Sequence, residues 1–172
     1  MGLRNITLVG FMGTGKTNVG KILGEKLNYS VVDVDRFIED RERRKINDIF
    51  EKEGETYFRS LEKEAIKEIS RKEGIVITTG GGAVLDPENI ETLKKTGWIV
   101  ALFARPETIY QRVKNSRHRP LLKGKDMLSE IKRLLVVRQP FYEKSDFRLE
   151  TDGCTSSQVA ELILEKLAGK LL

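Results

Sequence analysis

The chain of 172 residues contains one cysteine, one histidine, one tryptophan and four prolines. A single thiol, Cys154, can form neither an internal disulfide framework nor a thiolate metal cluster, and that economy suits a reducing cytosol. Long apolar runs are also missing. The longest, Trp98 to Ala104, is far short of the roughly 20 residues that a helix needs to span a bilayer. Charge of one sign is missing as well: 31 Lys and Arg against 26 Asp and Glu give a net charge of +5, with both signs interspersed. The basic run Arg41, Arg43, Arg44, Lys45 is broken by Glu42 and preceded by Glu39 and Asp40, so it reads as a solvated helix face and not as a nucleic-acid patch. Residues 1–5 are too few for a leader ahead of the first predicted strand, and Ile6 stands where a myristoylation signal wants Ser or Thr.

What is present is enough apolar side chain for a core. The apolar share is 39%, with seven Phe and four Tyr, and residues 1–172 are expected to form one domain. Ile6–Val9 reads as a strand, and Lys16–Leu27 as a helix with Val19, Ile22, Leu23 and Leu27 on one stripe. Val31–Val34 is a second strand running into Asp35, followed by a charged helical stretch and a helix over 57–70. Ile75–Thr78, Trp98–Phe103 and Asp146–Leu149 complete five predicted strands. Helices are expected over 87–95, 106–114, 127–142 with an interruption at Pro140, and 159–167. Strands alternating with helices predict a parallel sheet covered on both faces. The polar, basic segment between Asn115 and Lys125 is expected to be a mobile loop.

Gly10-Phe11-Met12-Gly13-Thr14-Gly15-Lys16-Thr17 matches GxxxxGK[ST] between a predicted strand and a predicted helix. Glycines let successive backbone N–H groups converge on phosphate oxygens, and the helix N-terminus adds its dipole. Lys16 is expected to reach the β and γ phosphates and the Thr17 hydroxyl to bind Mg²⁺. A switch GTPase is excluded, because neither DxxG nor NKxD occurs. A motor ATPase would end its third strand in an acid, where this chain has Thr79 and three glycines. The acidic pair instead follows the second strand, as Asp33-Val34-Asp35. Carboxylates there sit at the crevice where open α/β sheets bind ligands, although an aspartate at that point equally well starts the next helix.

Further motifs follow in order: Phe58-Arg59-Ser60-Leu61-Glu62, Thr79-Gly80-Gly81-Gly82, Arg119-Pro120-Leu121-Leu122 and Arg138-Gln139-Pro140-Phe141-Tyr142. With the phosphate loop and Asp-x-Asp, these six in this order and spacing make the whole chain resemble the shikimate kinases. The resemblance implies a nucleoside-monophosphate-kinase-like three-layer fold with a five-stranded parallel sheet of order 2-3-1-4-5, a helical acceptor region over about 35–60 and a lid over about 115–125. It implies ATP-dependent phosphorylation of the 3-hydroxyl of shikimate, with Mg²⁺, in a cytoplasmic monomer that binds neither nucleic acid nor membrane.

Residue by residue, the resemblance makes Asp35 the substrate-diol aspartate and base, and Asp33 the magnesium-side aspartate, acting through water. Arg59 and Arg138 become the holders of the shikimate carboxylate, with Gly81 as a backbone contact. Glu62 orients Arg59, and Ile46, Phe50 and Phe58 wall the ring. ATP falls to Gly13, Thr14, Gly15, Lys16, Thr17 and Asn18, with Arg112 against adenine and Arg119 on the phosphates; the Pro-Leu-Leu that follows selects Arg119 over Arg117. Lys16, Asp35 and Arg119 are the expected catalytic set. Each type suits its task, since a carboxylate bearing hydroxyls calls for guanidinium forks at one end and a hydroxyl-binding acid at the other. Blander readings are that Arg138 serves as a helix-terminal cation, His118 as a solvated loop residue and Trp98 as core. A gluconate-type or nucleotide kinase, or a module that binds ATP without turning it over, remains as an alternative.

Overall fold

The computed structural model describes residues 4–115 and 126–171, with side chains as far as 168. Strands β1 (Asn5–Gly10), β2 (Ser30–Asp33), β3 (Ile75–Thr78), β4 (Gly97–Phe103) and β5 (Phe147–Glu150) form one sheet of order β2-β3-β1-β4-β5. Every pairing is parallel, so the order implied by the family resemblance is the one found. The chain builds outward from β1 in one direction through β3 and β2 and in the other through β4 and β5. A crevice therefore opens at the C-terminal end of β1, where the phosphate loop begins.

The helices are α1 (Lys16–Leu27), α2 (Val34–Glu42), α3 (Ile46–Ile69), α4 (Pro87–Thr96), α5 (Pro106–Val113), α6 (Met127–Tyr142) and α7 (Ser156–Leu171), with a short 3₁₀ turn at Ala83–Leu85. Alternation along the strands splits the core in two. Leu8, Val76, Val100 and Leu102 face Val19 and Leu23 of α1 and Val159 and Ile163 of α7. Val9, Ile77, Ile99 and Ala101 face the layer that carries Ile38, Ile66, Ile90 and Ile131. Among the described residues no helix is long and apolar enough to cross a membrane.

Four features differ notably from the sequence expectation, each for a local reason. The Asp33 carboxylate accepts from the Arg36 N–H at 3.0 Å, so α2 starts at Val34, directly after β2, and Asp35 lies in its first turn. Arg43, at φ 52, ends α2 in the left-handed region. α3 then starts at Ile46, where Glu39 of α2 accepts the Ile46 N–H at 3.1 Å and pairs with Lys45 at 2.8 Å. Gly54 (φ 81, ψ 175) kinks α3, a backbone state open to glycine and costly for other residues. Pro140 does not interrupt α6, because its missing N–H costs one bond only two residues from the helix end. α7 starts three residues earlier than predicted: the Thr155 hydroxyl accepts from the Gln158 N–H while the Gln158 amide accepts from the Thr155 N–H. That reciprocal arrangement is a capping box of the T-x-x-Q type.

Candidate active site

β1 and α1 hold the phosphate loop between them. Gly15 makes the turn into α1 at φ 97, which a side chain would disfavour. The Thr14 hydroxyl donates to the Phe11 carbonyl at 2.8 Å, and the Lys16 ammonium donates to the carbonyls of Gly10 at 2.8 Å and Phe11 at 2.9 Å. Gly13 to Asn18 line a cavity of about 620 Å³, whose far wall is Thr151, Cys154 and Thr155 after β5. Arg112 of α5 lines the same cavity and donates to the Gly13 carbonyl at 3.0 Å and to the Thr151 carbonyl at 3.3 Å. It thereby ties the phosphate loop to the loop after β5. Arg119 lies outside the described residues.

A second cavity, of about 880 Å³, opens between α2, α3, the glycine run and α6. The two cavities share Met12, Asp33, Asp35, Gly80 and Gly81. A group bound in one therefore meets a group bound in the other at the aspartate pair. Both Asp33 oxygens are engaged, one by the Arg36 N–H and the other by the Thr78 hydroxyl at 2.6 Å. Asp35 differs: its Oδ1 is buried with no hydrogen-bond partner. Burial, helped by the negative charge of Asp33, raises its carboxyl to about 6 against the opposing pull of Lys16 and Arg59. An acid so placed is half-poised to take a proton near neutral pH.

Arg59 of α3 and Arg138 of α6 both line the second cavity. Arg59 donates to Glu62 at 2.7 Å and to Glu55 at 2.9 and 3.2 Å, which fixes its guanidinium from behind. Glu62 is 1% exposed, and burial pushes its carboxyl up to about 7 although Arg59 pulls the other way. Arg138 is 5% exposed and lies 5.5 Å over the Phe11 ring, so it is a cavity cation and not merely a charge at a helix end. The glycine run makes room for this geometry. A Cβ on Gly80 would lie 2.9 Å from Asp35 Oδ1, one on Gly81 3.3 Å from Arg138 Nη1, and one on Gly82 2.3 Å from Arg59 Nη2. Phe50 and Phe58, with ring centroids 4.7 Å apart, and Ile46 supply the apolar wall.

The geometry thus brings Asp33, Asp35, Arg59, Gly81 and Arg138 into contact with one cavity or both, and Lys16, Thr17, Asn18 and Arg112 into the first. Thr78 and Glu55 escaped the sequence reading, and Gly82 and Thr151 had no individual role in it. Thr78 carried a signal, as a hydroxyl residue one position before the Thr-Gly-Gly-Gly run. Glu55 is four residues before Arg59, the spacing of a helical ion pair. Thr151 had none, because its contact with Arg112 depends on how β4 and β5 align.

Two cavities meeting at a carboxylate pair, one built on a phosphate loop and the other around two arginines, suit a single kind of chemistry. This fold and site define a P-loop phosphotransferase acting on a small anionic acceptor. The family profile described as shikimate kinase matches residues 12–168. A shikimate kinase of Caldicellulosiruptor saccharolyticus is 48% identical over 162 residues, 94% of each chain, and one of Thermodesulfovibrio yellowstonii is 48% identical over 164 residues, 95% of each. The solved shikimate kinase of Acinetobacter baumannii in complex with shikimate superposes with a TM-score of 0.95 at 37% identity, covering 99% of this chain and 96% of its own. The chain belongs to the shikimate kinase family.

Proposed function

We propose that the chain transfers the γ-phosphoryl group of ATP to the 3-hydroxyl of shikimate, giving shikimate 3-phosphate and ADP on the route to chorismate and the aromatic amino acids. The junction of the two cavities at Asp35 carries this reading, because it sets a proton acceptor between a phosphate loop and a carboxylate-binding pair of arginines. ATP takes the cavity lined by Gly13, Thr14, Gly15, Lys16, Thr17 and Asn18, with adenine towards Arg112. Shikimate takes the other, its carboxylate on Arg59 and Arg138 and its hydroxyls towards Asp35 and the Gly81 backbone. As the 3-oxygen bonds to the γ phosphorus, its proton passes to Asp35, and the bond to the bridging β–γ oxygen breaks with its electron pair leaving on ADP. Positioning and charge supply most of the catalysis in such a transfer. Arg119, outside the described residues, keeps the phosphate-contacting role that the resemblance gives it.

Mg²⁺ fits the donor set. Thr17 offers an exposed hydroxyl in the first cavity, and Asp33, with both oxygens already accepting, is suited to hold the ion through water. No group of three His, Cys, Asp or Glu able to cage a metal occurs among the described residues. The ion would be taken up chiefly on substrate phosphates and one or two protein oxygens. When bound, Mg²⁺ would neutralise phosphate charge. The lone cysteine suits a reducing, cytoplasmic setting, and the chain is proposed to act there as a monomer of one domain.

An ADP-release assay with shikimate, gluconate and nucleoside monophosphates as acceptors tests the assignment. Shikimate alone should stimulate turnover; stimulation by gluconate or a nucleotide instead would refute it. ATP binding with no acceptor-stimulated turnover would point to a regulatory module. Arg59→Ala should raise the KM for shikimate by about 10- to 100-fold, the range for losing a charge-assisted hydrogen bond, and leave the KM for ATP nearly unchanged. Arg59→Lys should recover little, because an ammonium cannot reproduce the fork. An unaltered shikimate KM in Arg59→Ala would remove Arg59 from the site.

A further inference from the structure

Tyr142 ends the Arg-x-Pro-x-Tyr segment and has no part in the transfer described above. Its ring is 1% exposed and packs edge-on against Phe103, with centroids 6.0 Å apart. A phenylalanine would serve that packing equally well, so the hydroxyl calls for a separate reason, since burying it costs free energy unless it finds a partner. It does: the hydroxyl donates to the Gly81 carbonyl at 2.6 Å. Burial pushes its pKa up to about 12, although the neighbouring Arg138 guanidinium acts the other way. The group therefore remains a donor throughout the working pH range.

Tyr142 and Arg138 are four residues apart on α6 and share a face. One holds the Gly81 carbonyl, and the other lies against the Gly81 Cα, 3.3 Å from where a Cβ would stand. In a planar trans peptide the carbonyl and the N–H point in opposite directions. Drawing the Gly81 carbonyl towards α6 therefore turns the Gly82 N–H the other way, and Gly82 lines the acceptor cavity. The same turn sets the Gly82 Cα, on which the Arg59 guanidinium rests.

We propose that Tyr142 is a positioning residue for the acceptor: its hydroxyl locks the Gly81–Gly82 peptide so that Arg138, Arg59 and the glycine run form one preset receptor for the shikimate carboxylate. The inference rests on the shikimate reading of that cavity. Tyr142→Phe, which removes one oxygen, tests it. The KM for shikimate should rise about five- to tenfold, the scale of one buried hydrogen bond, while the KM for ATP and the slow ATP hydrolysis without acceptor stay within twofold. Placed in an Arg138→Ala background, Tyr142→Phe should add less than twofold, because the two act on one receptor.

The outcomes separate the two levels of the proposal. If Arg138→Ala leaves the shikimate KM unchanged, the site reading itself fails. If Arg138→Ala raises it but Tyr142→Phe does not, only the role of Tyr142 is overturned. Equal increases in both KM values with a lowered melting temperature, or loss of folding in Tyr142→Phe, would assign the hydroxyl to stability alone and likewise overturn the proposal.

Discussion

Asp35→Asn should lower kcat by about 10²- to 10⁴-fold, the range expected when a positioned base is removed, and should at the same time raise the melting temperature of the ligand-free protein at pH 8. The two effects share a cause. Asp35 is buried at the junction of the cavities with one oxygen unpartnered, and its carboxyl is raised from 3.8 to about 6. A folded-state pKa above the unfolded one means that the folded protein binds the extra proton more tightly, so stability falls as pH rises from about 4 to about 6. The displacement is equivalent to about 3 kcal/mol at most between those limits. Asparagine carries no charge at either end, so the variant should gain more over the wild type at pH 8 than at pH 4. Metal-free calorimetry across that range measures the difference; equal melting shifts at both pH values would show that Asp35 is not strained. In the wild type, kcat/KM should climb as pH rises through about 6, because the protonated carboxyl cannot take the hydroxyl proton. A flat profile down to pH 5 would remove Asp35 from the proton transfer.

Asp33 and Asp35 also show what the sequence could and could not say. Two readings of Asp-x-Asp competed, a ligand-facing pair and a helix start. They are compatible: Asp33 caps α2 through the Arg36 N–H while lining both cavities. The phosphate loop was legible because its chemistry is local, with all the groups lying within eight residues of chain. Arg59 and Glu62 were legible as a helical pair for the same reason. By contrast, Gly80, Gly81 and Gly82 are consecutive, yet each makes room for a side chain from a different helix: Asp35 of α2, Arg138 of α6 and Arg59 of α3. Such a division cannot be read from spacing, because it depends on how three helices converge on the end of β3. Gly54 was silent for a different reason. A glycine within a helical pattern reads as a weak point, and only the backbone shows a sharp turn that carries Ile46 and Phe50 to the cavity wall.

The acceptor cavity is thus assembled from α2, α3 and α6 around a short glycine floor, whereas the nucleotide cavity is built on the phosphate loop and the start of α1, with Arg112 and the loop after β5 closing it. Substitutions should divide along that line. Changes in α3 or α6 should register in shikimate affinity, and changes in the phosphate loop in turnover.

Lys16→Ala is the sharpest case of the second kind. Its ammonium donates to the carbonyls of Gly10 and Phe11 at 2.8 and 2.9 Å, so in the ligand-free protein it closes the loop around the place where phosphate is expected. Turning that charge onto the β and γ phosphates exchanges two neutral acceptors for anionic ones, and the gain grows as charge shifts towards the leaving ADP. Removing it should lower kcat by at least about 10²- to 10³-fold, the loss seen when one donor aimed at developing charge is deleted. The shikimate Kd from titration should stay within twofold, since no acceptor contact is lost. Lys16→Arg should not restore the rate, because a compact point charge seated between two carbonyls is replaced by a planar fork with different reach. Single-turnover measurements at saturating ATP separate chemistry from binding. A deficit confined to the ATP KM, with the chemical step at its wild-type rate, would reduce Lys16 to a nucleotide anchor and move the burden of transition-state charge to the remaining cations of the cleft.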